Sequence, residues 1–109
     1  MEKKEKIKKS RENYLKQAHA RIKDIRGMKA DINRRKKNAS RDIQKELDDW
    51  TINMKNYINL ANVEIEMIEN SDEFLWAERR QRVDEAIGKA EREMETGYEI
   101  LERPKGISA

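Results

Sequence analysis

The sequence contains no cysteine, one proline and four glycines among 109 residues, and only 6% of it is aromatic. Without cysteine the chain forms no disulfide bond and offers no thiolate ligand to a metal. No apolar run approaches the roughly 18 residues of a membrane-spanning helix. The stretch MEKKEKIKKSRENYL lacks the apolar core of a signal peptide. These absences favour a cytoplasmic protein with no transmembrane segment, and the scarcity of proline and glycine permits long helices.

Charge is abundant and apolar residues are scarce. Charged residues make up 43% of the chain and hydrophobic residues 36%, against about 25% and 45–50% in an ordinary globular domain. The charge is also unevenly distributed. Residues 1–41 carry 16 Lys and Arg against 5 Asp and Glu, residues 42–78 carry 2 against 10, and residues 79–109 carry 7 of each. Such a composition is typical of a disordered chain or of helices that bury a narrow stripe, and the period of the apolar residues decides between them.

Apolar residues recur at helical steps along most of the chain. In the basic third they follow a heptad seam in which Lys29 and Lys36 occupy two positions. The apolar members of that seam are Leu15, Ala18, Ile22, Ile25, Ile32 and Ala39. A second stripe runs from Ile43 to Ile68 and a third from Trp76 to Leu101. The fragment VEIEMI also alternates as a strand does, but it lies inside a long helical pattern.

These stripes predict an all-α protein with a long helix at about residues 2–69 and a second helix at about 72–103, packed as an antiparallel coiled-coil hairpin. The alternative is a compact three-helix bundle with a turn near residues 37–40. Because Lys and Arg are good helix formers and no Gly or Pro interrupts residues 28–69, helix propensity favours the long helix. In the bundle, Ser40 would cap the middle helix.

The predicted hairpin also fixes a register and a domain boundary. Asn70 or Ser71 is expected to cap the last helix, and a turn between them places Trp50 close to Ala90. Residues 1–103 are predicted to form a single helical domain, with residues 104–109 as a flexible C-terminal tail.

A second apolar face indicates contacts beyond the hairpin. Leu60, Val63 and Met67 project on the far side of their helix from the main stripe. This face could receive the chain's own basic segment or another chain. We expect a homo-oligomer, with a dimer favoured, or a complex with another helical protein. The predicted interface residues are Leu15, Ile22, Ile25, Ile32, Leu60, Val63 and Met67.

The run DINRRKKNASRD offers a rival function, because short Lys/Arg runs are common in nucleic-acid-binding patches. Lys36 lies on the seam, so we expect it to face a neighbouring helix. Arg34, Arg35 and Lys37 remain as possible polyanion contacts. The basic segment has neither a helix-turn-helix pattern nor stacking aromatic residues beyond Tyr14. Binding of the first 25 residues to a membrane surface is a further alternative.

No catalytic, cofactor or metal motif is present in the sequence. The single histidine, His19, has no Asp, Glu or Cys at helical ligand spacing. Glu64, Glu66 and Glu69 cluster, but the Glu-x-x-His pairs of di-iron bundles are missing. The sequence therefore predicts a protein that is not an enzyme and requires no cofactor.

Three stretches of the chain occur in a familiar order. An aromatic residue with a short heptad segment, YLKQAHARI, comes first, and the charged helix KADINRRKKNASRDIQKEL follows. A helix with a tryptophan near its start, SDEFLWAERRQRVDEAIGKA, closes the pattern. Over about residues 14–94 the chain thus resembles a family of small bacterial coiled-coil stress-response proteins. The resemblance implies a structural or stress-associated role and no reaction.

Overall fold

The computed structural model describes residues 2–72 and 75–103, which form three α-helices and, within these ranges, no strand. The helices are α1 (Glu2–Lys36), α2 (Arg41–Glu69) and α3 (Trp76–Leu101). They pack side by side in a rod of 65 × 17 × 16 Å. The all-α class is confirmed, and of the two predicted arrangements the chain adopts the three-helix bundle. The predicted tail, residues 104–109, lies outside the described residues. Each helix in the described ranges is too polar or too short to span a membrane.

The helix predicted at about residues 2–69 is not continuous, because the chain turns between α1 and α2. The N–H of Ala39 donates to the Lys36 carbonyl at 3.0 Å, and Ser40 is extended with φ −62° and ψ 160°. The Ser40 hydroxyl accepts from the N–H of Ile43 at 3.4 Å, so the predicted N-cap is present. Continuing the helix would gain only tenths of a kcal/mol per residue in propensity. Folding α1 back instead buries several large apolar side chains, each worth about 1.5–3 kcal/mol.

The core runs along the axis of the rod and contains residues from all three helices. It draws Ala18, Ile22, Ile25 and Ile32 from α1; Leu47, Trp50, Met54, Ile58, Ala61, Ile65 and Ile68 from α2; and Trp76, Val83, Ile87, Ala90 and Met94 from α3. No polar or charged side chain in the described ranges is buried with them. The seam of the basic third is therefore occupied by the chain's own α2 and α3.

The turn between α2 and α3 is longer than predicted, and this changes the register. Asn70 ends α2 instead of capping the next helix, while the Ser71 hydroxyl donates to the Ile68 carbonyl at 2.8 Å. Because α3 begins only at Trp76, a given residue of α2 lies opposite a residue of α3 that is about one helical turn further along the sequence than expected. The indole N–H of Trp50 donates to the carbonyl of Glu93 at 2.7 Å, so the predicted position opposite Ala90 is wrong by about one helical turn.

Candidate interaction surface

Four large apolar side chains lie exposed on the outward face of α2. Ile52 is 61% exposed, Leu60 60%, Val63 51% and Met67 39%. At 100° per residue they fall within an arc of about 80°, and the exposed Asn56 lies in the middle of that arc. These five residues, called the α2 stripe below, extend over about 22 Å of helix.

The α2 stripe is left free because α1 packs elsewhere. The opposite side of α2, including Ile58, Ala61 and Ile65, faces the core. Ile32 of α1 approaches both Trp50 of α2 and Gly97 of α3, so α1 occupies the groove between those two helices. The expectation that this face could receive the chain's own basic segment is therefore wrong.

A groove between α2 and α3 adjoins the α2 stripe at Leu60. Its volume is about 250 Å³, and it is lined by Tyr57, Leu60, Glu64, Arg82, Glu85, Ala86 and Lys89. The Oε2 atom of Glu64 is buried there without a hydrogen-bond partner. An unsatisfied buried acceptor costs about 1–3 kcal/mol.

The structure divides the seven predicted interface residues into two groups. Leu60, Val63 and Met67 lie on the α2 stripe, whereas Ile22, Ile25 and Ile32 are in the core and Leu15 packs partly buried against it. Ile52 was missed. Its signal was present in the sequence, since it lies eight residues before Leu60 on the same arc of the helix.

Most of the basic run is engaged within the chain. Arg34 pairs with Asp31, and Arg35 lies 3.8 Å from Asp31 with its guanidinium 6.0 Å from the centroid of the Tyr98 ring. The Nζ atom of Lys36 lies 2.5 Å from Oδ1 of Asp48 on α2, so this cation does face a neighbouring helix, as predicted. Of the three proposed polyanion contacts, only Lys37 has no ion pair among the described residues.

A polar network joins α1 to α3 at the other end of the rod. The Tyr14 hydroxyl donates to Oδ1 of Asp84 at 2.6 Å, and Arg21 forms ion pairs with Asp84 and Glu91. Burial of the ring and the hydrogen bond to Asp84 raise the pKa of Tyr14. The hydrogen bond to Glu91 raises the pKa of Arg21. The network holds the two helices in register.

The one histidine of the chain pairs with a glutamate, and the described residues gather no cluster of metal ligands. Nε2 of His19 lies 2.9 Å from Oε1 of Glu69, which pairs α1 with α2. No group of three or more potential ligands gathers in the described ranges. Comparisons with models of known protein families, with curated proteins and with solved structures give no match.

Proposed function

We propose that this chain is a non-enzymatic helical scaffold of the cytoplasm that acts by self-association, with two copies meeting through the α2 stripe. A stress-associated accessory role, implied by the sequence resemblance, belongs to the same proposal. The observation that carries it is the distribution of exposed apolar side chains. Of the five large ones that the described residues expose, four belong to the stripe. An apolar face of this kind on an otherwise charged molecule is typical of a protein–protein contact.

The size of the stripe sets the expected strength of the dimer. A standard interface uses about 20–30 residues on each partner, and the stripe offers four apolar side chains and an asparagine. Association also costs at least about 4 kcal/mol in lost translational and rotational freedom. We therefore expect a dimer whose population depends on concentration.

An antiparallel pairing suits the stripe. Its midpoint lies at residues 59–60, so a two-fold axis there places Leu60 against Leu60 of the second copy and Ile52 against its Met67. A parallel pairing would instead bring the Glu64 and Glu66 carboxylates of both chains to one level, where they repel.

Light scattering during size-exclusion chromatography, over a wide range of protein concentration, tests the proposal. A variant carrying Leu60→Gln, Val63→Gln and Met67→Gln should remain monomeric and keep the helicity of the parent, since all three side chains are exposed. The matched control is Leu60→Met, Val63→Ile and Met67→Leu, which keeps the surface apolar and should still dimerise.

The same measurement at low and high salt, with and without nucleic acid, separates the rival function. An apolar dimer persists at high salt and is indifferent to DNA or RNA, whereas phosphate contacts weaken steeply as salt rises. A parent chain that stays monomeric and gains mass only with nucleic acid would refute self-association.

A further inference from the structure

A cleft between α1 and α2 has a different chemical character from the α2 stripe. Its volume is about 370 Å³, and it is lined by Arg26, Lys29, Ala30, Asn33, Lys55, Ile58 and Asn59. Ile58, which is buried, supplies an apolar wall. The polar lining consists of three cations and two amides, with no carboxylate among the lining residues. Concave surfaces of one charge sign concentrate the electrostatic potential and attract counter-ions.

The cleft exists because the heptad seam of α1 is interrupted at Lys29. Ile25 and Ile32, on either side of it along the seam, are both fully buried. Lys29 occupies the position between them and is only half-buried, because its ammonium must stay in contact with water or an anion. The cleft therefore lies where a charged side chain replaces an apolar one on the seam, between Lys29 of α1 and Ile58 of α2.

The three cations of the cleft have no ion pair among the described residues. Other cations of the bundle do pair across helices, as Arg21 does with Glu91, Lys36 with Asp48 and Arg103 with Glu46. The Thr51 hydroxyl donates to the Leu47 carbonyl at 2.8 Å and also lies 3.1 Å from Oδ1 of Asn33. The amide N–H groups of Asn33 have no acceptor among the described residues. The cleft therefore offers positive charge and N–H donors with no protein acceptor assigned to them.

We propose that this cleft binds a compact anion with two linked phosphoryl groups. A terminal phosphoryl group carries about 1.5–2 negative charges at neutral pH and a bridging one about one, so Arg26, Lys29 and Lys55 together balance about one diphosphate. The amides of Asn33 and Asn59 supply further donors to the oxygens. The ligand is either a free inorganic diphosphate or the diphosphate of a nucleotide, since the groups recognised are the same in both.

The shape of the charged surface favours a compact ligand over a nucleic-acid strand. A strand needs cations spread along its phosphates, but Arg34, Arg35 and Lys36, which would extend the track along α1, are paired with Asp31 and Asp48. The proposal does not rest on self-association, because none of the residues that line the cleft belongs to the α2 stripe.

Isothermal titration of the full chain with inorganic pyrophosphate tests the site. We expect saturable binding at one site, with orthophosphate binding more weakly. Lys29→Gln and Lys55→Gln should each weaken pyrophosphate binding by about tenfold, the effect of losing one charge-assisted hydrogen bond. Lys16→Gln and Lys45→Gln are the controls, since they remove the same charge from α1 and α2 outside the cleft and should change affinity less than about twofold.

Two further measurements separate loss of binding from loss of the fold and identify the source of the ligand. Lys29→Leu completes the apolar seam, so it should raise the melting temperature while weakening pyrophosphate binding by at least about tenfold, which separates loss of the ligand from loss of the fold. Titration with a nucleoside diphosphate tells the two sources apart, because tighter binding than that of pyrophosphate identifies the nucleotide and equal or weaker binding the inorganic anion. The proposal is overturned if the parent shows no saturable binding, if the control variants lose as much affinity as the cleft variants, or if only an oligonucleotide binds.

Discussion

Gly97 lies where α3 approaches the largest side chain of α2. A Cβ atom at this position would overlap carbons Cε2 and Cζ2 of the Trp50 indole and lie 3.0 Å from Cδ1 of Ile32. We expect Gly97→Ala to lower the free energy of unfolding by about 1–3 kcal/mol, because the indole and the Ile32 side chain are both buried and must shift to admit the methyl group. Chemical denaturation followed by circular dichroism measures the change.

Gly27 supplies the matched control, since it also lies inside a helix. A Cβ atom there meets nothing within 4 Å. Gly27→Ala should therefore raise the free energy of unfolding by up to about 1 kcal/mol, the difference in helix propensity between the two residues. If both substitutions raise the free energy of unfolding, Trp50 does not pack closely against Gly97.

Tyr14 makes the stability of the bundle depend on pH in the alkaline range. Its pKa is raised in the folded state by burial and by the hydrogen bond to Asp84. The contribution of the protonated hydroxyl is complete below the ordinary tyrosine pKa of about 10. Above that pH the unfolded chain releases the proton while the folded chain retains it, so stability falls as pH rises.

The substitution Tyr14→Phe tests this dependence. At neutral pH we expect it to lower the free energy of unfolding by about 1 kcal/mol, the value of a typical hydrogen bond. At a pH above 10 the difference between parent and variant should shrink, because the parent no longer gains from the protonated group. Denaturant titrations at both pH values measure the difference in free energy of unfolding between parent and variant. If that difference does not change with pH, Tyr14 does not contribute to the alkaline loss of stability.

At the scale of the element, the start of α2 depends on Ser40. Its side chain accepts from the N–H of Ile43 and satisfies one of the donors that open the helix. Ser40→Ala should lower the free energy of unfolding by about 1 kcal/mol. Ser10→Ala is the control, because Ser10 is exposed within α1 and alanine is the better helix former there. Equal effects of the two substitutions on the denaturation midpoint would contradict the cap.

Sequence periodicity predicted which faces of the helices are buried but not where the helices end. The stripe from Ile43 to Ile68 and the cap at Ser40 could both be predicted, because each depends on local spacing. The break between α1 and α2 could not be decided, since local propensity favoured one long helix while burial of the α1 seam required a turn. The length of the turn before Trp76 was missed for a related reason. That turn has no strong local signal, and an error of a few residues there shifts Trp50 by a full helical turn against α3.

The candidate surfaces were predictable to different degrees. Leu60, Val63 and Met67 could be identified because an apolar residue opposite a main stripe is visible in a helical projection. The cleft was not predicted, since it needs Lys55 of α2 beside Arg26 and Lys29 of α1. Those residues are brought together only by the turn that helix propensity disfavoured.

At the scale of the whole molecule, part of the charge asymmetry is balanced inside one chain. The basic α1 lies against the acidic α2, with Lys36 paired to Asp48 and His19 beside Glu69. Arg21 of α1 pairs with Asp84 and Glu91 of α3. The surface that remains for association is the α2 stripe, where four large apolar side chains are exposed to solvent. For this reason we expect self-association to depend on apolar surface and to tolerate salt.

The absence of native cysteine allows the proposed antiparallel dimer to be tested by single-cysteine cross-linking. A disulfide needs Cα atoms about 4.4–6.8 Å apart, so a cysteine joins to its own copy only near the two-fold axis. Leu60→Cys should form a disulfide-linked dimer under mild oxidation. Ile52→Cys alone should not, but it should cross-link to a Met67→Cys chain when the two are mixed.

Non-reducing electrophoresis measures the fraction of cross-linked dimer. Lys16→Cys is the control for random collision, because Lys16 is exposed on α1, away from the stripe. A parallel pairing would make every stripe cysteine join to its own copy, so efficient self-linking of both Ile52→Cys and Met67→Cys would replace the antiparallel register with a parallel one. If Leu60→Cys links no faster than Lys16→Cys, the two stripes do not meet, and the exposed apolar face of α2 must serve a different partner.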